Sequence, residues 1–469
     1  MSFVFYDTET TGTDTAFDQI LQFGAIRTDY ELNELDRFEI RCRLLPYVVP
    51  SPGALVVNGI TVGRLLDSAL PTHYQMVRAI RAKLAEWSPA IFLGHNSLGF
   101  DEHLLRQAFY KTLHDPYLTN KNGNCRLCVL RMARAVACIA PGALSVPFNG
   151  DGTPSFNLER LAAANGFQHG GAHDAIADAE ATIHMCRVMA ERVPAYWSNF
   201  LRFSKKASVT DFATGEEFFA LTDFYGTRSY SWMVTVLGVN PDNGSEQIVF
   251  CLSSDPGELA VMSDEELVAR LSEFPKPVRG MRTNSCPIVL SYEDSPEAIR
   301  SAAPALPVLK ERAALVRNDK QFAGRLVQAF IRSRGERETS PHVEGRIYDG
   351  FAGNEDNAVM DRFHALEWAH RAPLIGQLAD ERLRSLGQRL IYVEAPHVMS
   401  DEERRDYDVA IARRLMAEEG SVPWRTYPQA IAETDGLLAD DCGPNAVLLA
   451  EFQHYLAGRA EEAASQFSV

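Results

Sequence analysis

Phe3-Val4-Phe5-Tyr6-Asp7-Thr8-Glu9-Thr10-Thr11-Gly12 is the stretch on which the reading of this chain turns. It begins as an apolar run of aromatic and β-branched residues and closes at a glycine, which predicts a strand. Strand side chains alternate between faces, so Asp7 and Glu9 point the same way. Two carboxylates side by side on an apolar strand repel each other and resist burial. A divalent cation removes that conflict, because hard cations prefer oxygen ligands. A strand whose end runs out into solvent removes it equally well, so the pair alone leaves both readings open.

Moving outward, Gln22 to Thr28 reads as a second strand, and a third falls within Phe38 to Val49. Met76, Val77, Ile80 and Leu84 recur at helical spacing and predict a helix from Tyr74 to Trp87. Ile91-Phe92-Leu93, ended by Gly94, reads as a short buried strand, and a helix is expected from Glu102 to Tyr110. Asp101 stands at that strand-to-helix junction, either as an ordinary N-cap or as a third carboxylate at the sheet end. Asn120 to Arg126 reads as a polar turn. Further on, Gly170-Gly171-Ala172-His173-Asp174-Ala175-Ile176-Ala177-Asp178 opens a helix that Asp174 caps, with Asp178 one turn inside it. Ala175, Ala177 and Ala179 are small, so something can approach this turn closely. His173 is either a surface residue or a candidate general base, since an unperturbed histidine titrates near neutrality.

With 469 residues the chain is expected to hold two to three domains. After about Ser208 come β-rich runs: Phe218 to Thr222, Ser231 to Gly238, Gln247 to Leu252 and Pro287 to Leu290. They are interrupted by one helix, Asp264 to Glu273, and read as a small barrel or curled sheet. Helices return from Leu306 to Ser333, and after Gly345 the remainder reads as helical. Apolar content of 46% with 23% charged residues is that of a globular protein, and no run is long enough to span a membrane. The first residues run directly into the strand without a basic leader, so a cytoplasmic protein is expected. The eight cysteines are scattered. Only Cys125 and Cys128 form a C-x-x-C pair, without the second ligand pair a zinc site needs. The net charge of −16 does not suit a nucleic-acid binder as a whole. Binding needs only a local positive path, however, and Lys310, Arg312, Arg317, Lys320, Arg325, Arg332, Arg334 and Arg337 form one basic stretch, or else one solvated helix face.

The set Asp7, Glu9, Asp101, Asp178 and His173 is about the inventory of a two-metal phosphoryl-transfer site, in which two cations hold the attacking and leaving oxygens. Asp7-Thr8-Glu9, Asn96 with Phe100-Asp101, and His173 with Asp178 resemble the three motifs of the DEDDh exonucleases. Within that superfamily the chain is similar to the exonuclease I family. The likeness is carried by Gln22-Phe23-Gly24-Ala25-Ile26-Arg27-Thr28-Asp29, Asp115-Pro116-Tyr117, Pro154-Ser155-Phe156 with Leu158-Glu159, and Ala172-His173-Asp174-Ala175. Beyond the nuclease part it is carried by Asn284-Ser285-Cys286-Pro287 and Ile347-Tyr348-Asp349-Gly350-Phe351.

The resemblance implies an α/β (α+β overall) architecture. A ribonuclease H-like nuclease domain with a mixed sheet would cover residues 1–196, an SH3-like β domain 197–345, and an α-helical C-terminal domain 346–469. It implies that Asp7, Glu9, Asp101 and Asp178 bind two Mg²⁺ ions, for which Mn²⁺ can substitute. His173 would deprotonate the attacking water, and single-stranded DNA would be shortened from its 3′ end to nucleoside 5′-monophosphates. The implied partners are single-stranded DNA and the acidic tail of single-strand DNA-binding protein; no membrane is implied, and the protein would be a monomer. Phe148, Phe156, Tyr225, Tyr230 and Trp232 are candidates for stacking on bases. The chain departs from the family at Thr8 and Thr11, in Cys125 to Arg131, which lacks a Trp-Asp pairing, and between Ser291 and Pro304, which is short of arginines. Two other readings share these residues: an RNA- or oligonucleotide-directed relative, and an inactive single-strand-binding module. The filled catalytic positions argue against the second.

Overall fold

β1 (Ser2–Thr10) is the middle strand of a five-stranded sheet. It pairs antiparallel with β2 (Ile20–Thr28) and parallel with β4 (Ala90–Gly94). β3 (Glu34–Arg41) extends the antiparallel side and β5 (Cys125–Cys128) the parallel side, giving the order β3-β2-β1-β4-β5. This is the mixed sheet expected. The computed structural model describes residues 2–168, 174–226, 228–335, 338–418, 420–440 and 443–466. His173, with the Gly170-Gly171 approach, Arg337, Cys442 and Phe467 lie outside these described residues.

The alternation along β1 assigns its neighbours. Phe3 and Phe5 join the core formed with helices Val129–Ile139 and Ala175–Arg192, while Val4 and Tyr6 join the core formed with His73–Trp87 and Asp101–Lys111. Burying these four large side chains contributes roughly 1.5–3 kcal/mol each. The third strand ends at Arg41 rather than near Val49. There the Gln19 amide donates to the Arg43 carbonyl and accepts from Leu45 N–H, so a side chain takes over the backbone pairing and turns the chain away. Helix Pro52–Asn58 follows. Cys125–Cys128 forms a strand that begins within the last two residues of the turn expected over Asn120 to Arg126. The Asn124 side chain ends the loop by accepting from Ala90 N–H and donating to the Leu118 carbonyl.

The second sheet is antiparallel throughout, in the order β10-β6-β7-β8-β9: β6 is Phe219–Tyr225, β7 Arg228–Asn240, β8 Asn243–Cys251, β9 Val278–Arg282 and β10 Ile288–Ser291. One face packs on helices Asp264–Ser272, Leu306–Asn318 and Lys320–Ser333, the other on Lys206–Gly215. The basic stretch from Lys310 is mostly built into this unit. Arg312 donates to the Leu252 and Ser253 carbonyls, Arg317 to Glu216, Arg325 to Asp264 and Met262, and Arg334 to Glu246. These guanidiniums fasten the helices to the sheet and to its connecting loops.

The remaining helices complete two cores that include nuclease residues. Tyr74, Tyr110 and Leu113 pack with Ile347, Phe363, Leu374 and Leu386. Leu21, Val49, Leu55 and Leu65 pack with Ala412, Leu415, Phe452 and Leu456. Between them lies Glu344, whose buried carboxylate accepts from Arg389 at 2.6 Å and sits 3.1 Å from Arg414. Its neighbour's carbonyl, on Val343, accepts from Tyr110, and its own from Gln107. Burial would raise the Glu344 pKa, but Arg389, Arg414 and Lys111 outweigh it and hold the group down at about 2.

A carboxylate held below its unfolded value of 4.5 adds stability that is fully present above pH 4.5 and lost as pH falls toward 2. Glu344→Gln leaves two half-buried guanidiniums without their counter-charge and is expected to cost about 3 kcal/mol. Urea unfolding at neutral pH should show that loss, and the variant's acid-unfolding curve should be flatter than the wild type's between pH 4.5 and 2.

Candidate active site

Asp7 and Glu9 stand where the register of β1 begins to break. Asp7 faces Gly24 and Glu9 faces Gln22 on β2, and the ladder shifts between Glu9 and Thr10. Gly24 decides what can lie above them. A Cβ there would fall 2.7 Å from the backbone of both Ala175 and Ile176, so only glycine lets the first turn of helix Ala175–Arg192 rest on the strand. The small alanines at this turn are therefore met by β2 itself. That contact brings Asp178 to Asp7 and Glu9: one carboxylate oxygen from each lies within 4.8 Å of the others.

The helix is anchored at its start. Asp174 accepts from Ile176 N–H and Ala177 N–H as an N-cap. Its other oxygen accepts from Gln22 at 2.9 Å and Arg41 at 2.8 Å, tying the cap to β2 and β3. Glycine serves the parallel side as well: a Cβ on Gly94 would meet the Tyr6 carbonyl at 2.7 Å. β4 therefore runs close beside β1, and the chain turns at Asn96, in a left-handed conformation, into helix Asp101–Lys111. Asp101 is buried as the first residue of that helix, and its Oδ1 accepts from the Thr8 hydroxyl at 2.6 Å. It is not one of the three acids grouped within 4.8 Å, yet it lies near enough for its charge to act on all of them.

The electrostatics are those of acids forced together. Burial, followed by the charges of Asp101, Asp178 and Glu9, pushes Asp7 well above the usual carboxylate range. Burial, then Asp178 and Asp101, raises Glu9 to about 8. Burial raises Asp101 to about 6 against the opposing bond from Thr8. Like-charged oxygens at this spacing are an all-oxygen donor set for a hard divalent cation, which would restore their ionised forms. The donor set fits such an ion.

Beside the acids lies a charged network that sequence reasoning missed. Glu102, fully buried, accepts from Tyr6 (3.0 Å), Thr119 (2.7 Å), Arg106 (2.8 Å) and Arg126 (2.7 Å). Arg126 also donates to the Asn284 carbonyl, in the loop between β9 and β10. An acid pair, Asp101-Glu102, at a helix start was the available signal. Of the aromatic candidates, Phe148, Tyr225 and Tyr230 are 64%, 55% and 41% exposed. Phe156 is partly buried under Arg134, and Trp232 is covered by Arg279 at 3.6 Å. Cys125 and Cys128 carry free thiols in β5.

Two family models match the chain: an exonuclease family over residues 4–186 and an exonuclease I C-terminal domain over residues 341–458. The chain is 29% identical over 405 residues to an exodeoxyribonuclease I of Escherichia coli strain K12, an alignment spanning 82% of this chain and 84% of that protein. Among solved structures, E. coli exonuclease I in complex with a dA16 oligonucleotide superposes with a TM-score of 0.84 at 24% identity, over 98% of this chain and 99% of that one. A moderately thermophilic exonuclease I from Methylocaldum szegediense gives a TM-score of 0.83 at 26% identity with the same coverage.

Relief of the acid cluster can be measured without substrate. Asp7→Asn should raise the melting temperature of the metal-free protein, because one repelling buried charge is removed. In the wild type, millimolar Mn²⁺ should raise the melting temperature, since a ligand that binds only the folded state stabilises it. The variant should lose most of that metal-induced rise.

Proposed function

Because the chain belongs to the exonuclease I family, we propose that the cluster on β1 is the active site of a 3′→5′ exodeoxyribonuclease acting on single-stranded DNA. The observation that carries this reading is the convergence of Asp7, Glu9 and Asp178, with Asp101 beside them, at one end of the mixed sheet. The four acids would hold two Mg²⁺ ions, with Mn²⁺ able to substitute. When bound, such ions stabilise charge on the phosphoryl oxygens and on the leaving 3′ oxygen.

The chain's own residues supply the rest. His173, which precedes the capped helix by two positions in sequence, would accept the proton of the attacking water. Its spacing of five from Asp178 is that of the family's third motif. The cap at Asp174 and the close contact at Gly24 hold Asp178 against β1 while the ends of the substrate change from cycle to cycle. Cleavage of the terminal phosphodiester by water puts the phosphate on the 5′ oxygen of the released nucleoside and leaves a new 3′ hydroxyl for the next cycle.

The proposed division remains nuclease 1–196, SH3-like β domain 197–345 and helical domain 346–469. It is supported by the two separate sheets and by the match of the C-terminal family model. Exposed Phe148, Tyr225 and Tyr230 are proposed to stack on bases. We keep the acidic tail of single-strand DNA-binding protein as a proposed partner. Between Ser291 and Pro304 the one arginine is Arg300, whose guanidinium is engaged by Glu297 and the Glu293 carbonyl. Among the described residues no helix is long and apolar enough to cross a membrane. A cytoplasmic monomer working in DNA repair is the proposed setting.

The deciding assay uses Mg²⁺ with 5′-labelled single-stranded DNA, matched RNA and duplex DNA, each with and without EDTA. A ladder shortening from the 3′ end, confined to single-stranded DNA and abolished by EDTA, is the expected result. Equal cleavage of RNA would move the protein to an RNA-directed branch; binding without any cleavage would make it an inactive single-strand-binding module. His173→Ala should lower turnover by about 10²–10⁴-fold, the usual effect of losing a general base. An unchanged rate would assign the proton to another group.

A further inference from the structure

Asp101 differs from the other acids in how it is held. Asp7 and Glu9 ride on β1, and Asp178 is delivered by a helix pinned at Gly24 and Asp174. Asp101 opens a helix whose start has no side-chain cap, at the end of a loop with a left-handed residue at Asn96. Its carboxylate can turn about its own Cβ–Cγ bond unless something stops it. Backbone N–H groups of Asp101 itself and of Thr8 restrain it in part, and the alternation of β1 adds a side-chain donor. Val4 and Tyr6 face the core shared with helix Asp101–Lys111, and Thr8, two residues further, lies on that same face. The Thr8 hydroxyl donates to Asp101 Oδ1 at 2.6 Å, with both side chains buried. A bond from a hydroxyl to a carboxylate at this length is of the strong, charge-assisted kind. A β-branched residue in a strand has little freedom at χ1, so the donor is itself fixed.

A second tie makes the first separable from the fold. Tyr6 Oη donates to Glu102 Oε2, and Glu102 is held further by Thr119, Arg106 and Arg126. The backbone of the helix start is thus fastened to β1 at Tyr6 whether or not Thr8 carries a hydroxyl. Backbone pairing of β1 with β2 runs through Thr8 itself, opposite Phe23, and does not involve the side chain.

We propose that Thr8 is a positioning residue whose hydroxyl orients the Asp101 carboxylate toward the cation site and so sets the affinity of the cluster for divalent ions. This rests on the reading of the four acids as metal ligands. The bond on Oδ1 immobilises the group and leaves lone pairs on the carboxylate for a cation. Partners that orient a metal ligand in this way change metal affinity or activity by about 10–100-fold when removed.

The test compares Thr8→Val, which keeps the shape and removes the hydroxyl, with Thr8→Ser, which restores the donor. Mn²⁺ binding is followed on the full chain without DNA, by electron paramagnetic resonance and titration calorimetry. We expect Thr8→Val to weaken Mn²⁺ binding by about tenfold, with Thr8→Ser close to wild type. At fixed low Mn²⁺ its kcat on single-stranded DNA should fall while KM for DNA stays put, and excess Mn²⁺ should restore kcat. In an Asp101→Asn background, Thr8→Val should cost nothing further, because the two side chains act as one unit. Equal Mn²⁺ affinity in Thr8→Val and wild type, or a loss that persists in the Asp101→Asn background, would overturn the inference and leave the metal reading standing. A wild-type protein that binds no Mn²⁺ would overturn both. If Thr8→Val melts below the assay temperature, Thr8→Ala carries the same comparison.

Discussion

Buried carboxylates that repel one another cannot hold themselves together, and the architecture around β1 answers that constraint. Each acid is fixed by contacts that do not involve the other acids. Asp7 and Glu9 are held by the backbone ladder to β2. Asp178 is held by a helix that rests on the bare backbone of Gly24 and is capped through Asp174 to Gln22 and Arg41. Asp101 is held through Thr8 and, one residue on, through the Glu102 network. Burial and mutual repulsion raise the proton affinity of Asp7, Glu9 and Asp101, so the cluster favours any partner, a proton or a cation, that neutralises it.

The same logic extends beyond the nuclease sheet. Arg126 joins Glu102 to the Asn284 carbonyl, so the loop between β9 and β10 is bonded to the residue next to Asp101. On the opposite side, Gln107 and Tyr110, from the helix that Asp101 opens, donate to the backbone around Glu344, itself clamped by Arg389 and Arg414. Both later parts of the chain therefore bear on the element that carries Asp101.

Much of this was legible from residue order. Period-two alternation put Asp7 and Glu9 on one face, and the cap at Asp174 with small residues behind it announced a close approach. What approached was not legible. That Gly24 lies under Ala175 depends on strand register and on a chain separation of about 150 residues, which no local pattern encodes. Thr8 read as a family departure rather than as a partner of Asp101, because the bond exists only once β4 lies beside β1. The arginines after Lys310 allowed two readings for a related reason: sequence shows the charge of a guanidinium but not the carbonyl it donates to. β9 escaped notice because Val278-Arg279-Gly280-Met281-Arg282 offers too few apolar residues to signal a strand.

The core that joins Leu21, Val49 and Leu55 to Phe452 and Leu456 also bears on how the protein is made. Synthesis runs from the N-terminus, at about 5–20 residues per second, so these early side chains leave the ribosome many seconds before the helix that covers them. During that interval β2 and helix Pro52–Asn58 present an uncovered apolar face, just beyond the loop that follows Glu9. The nascent chain can assemble its central sheet but cannot finish the wall behind its acidic end until Ala446–Ser465 has emerged. The cover over Leu21, Val49 and Leu55 is thus the last part of this core to be made, and until it arrives those side chains stay open to water.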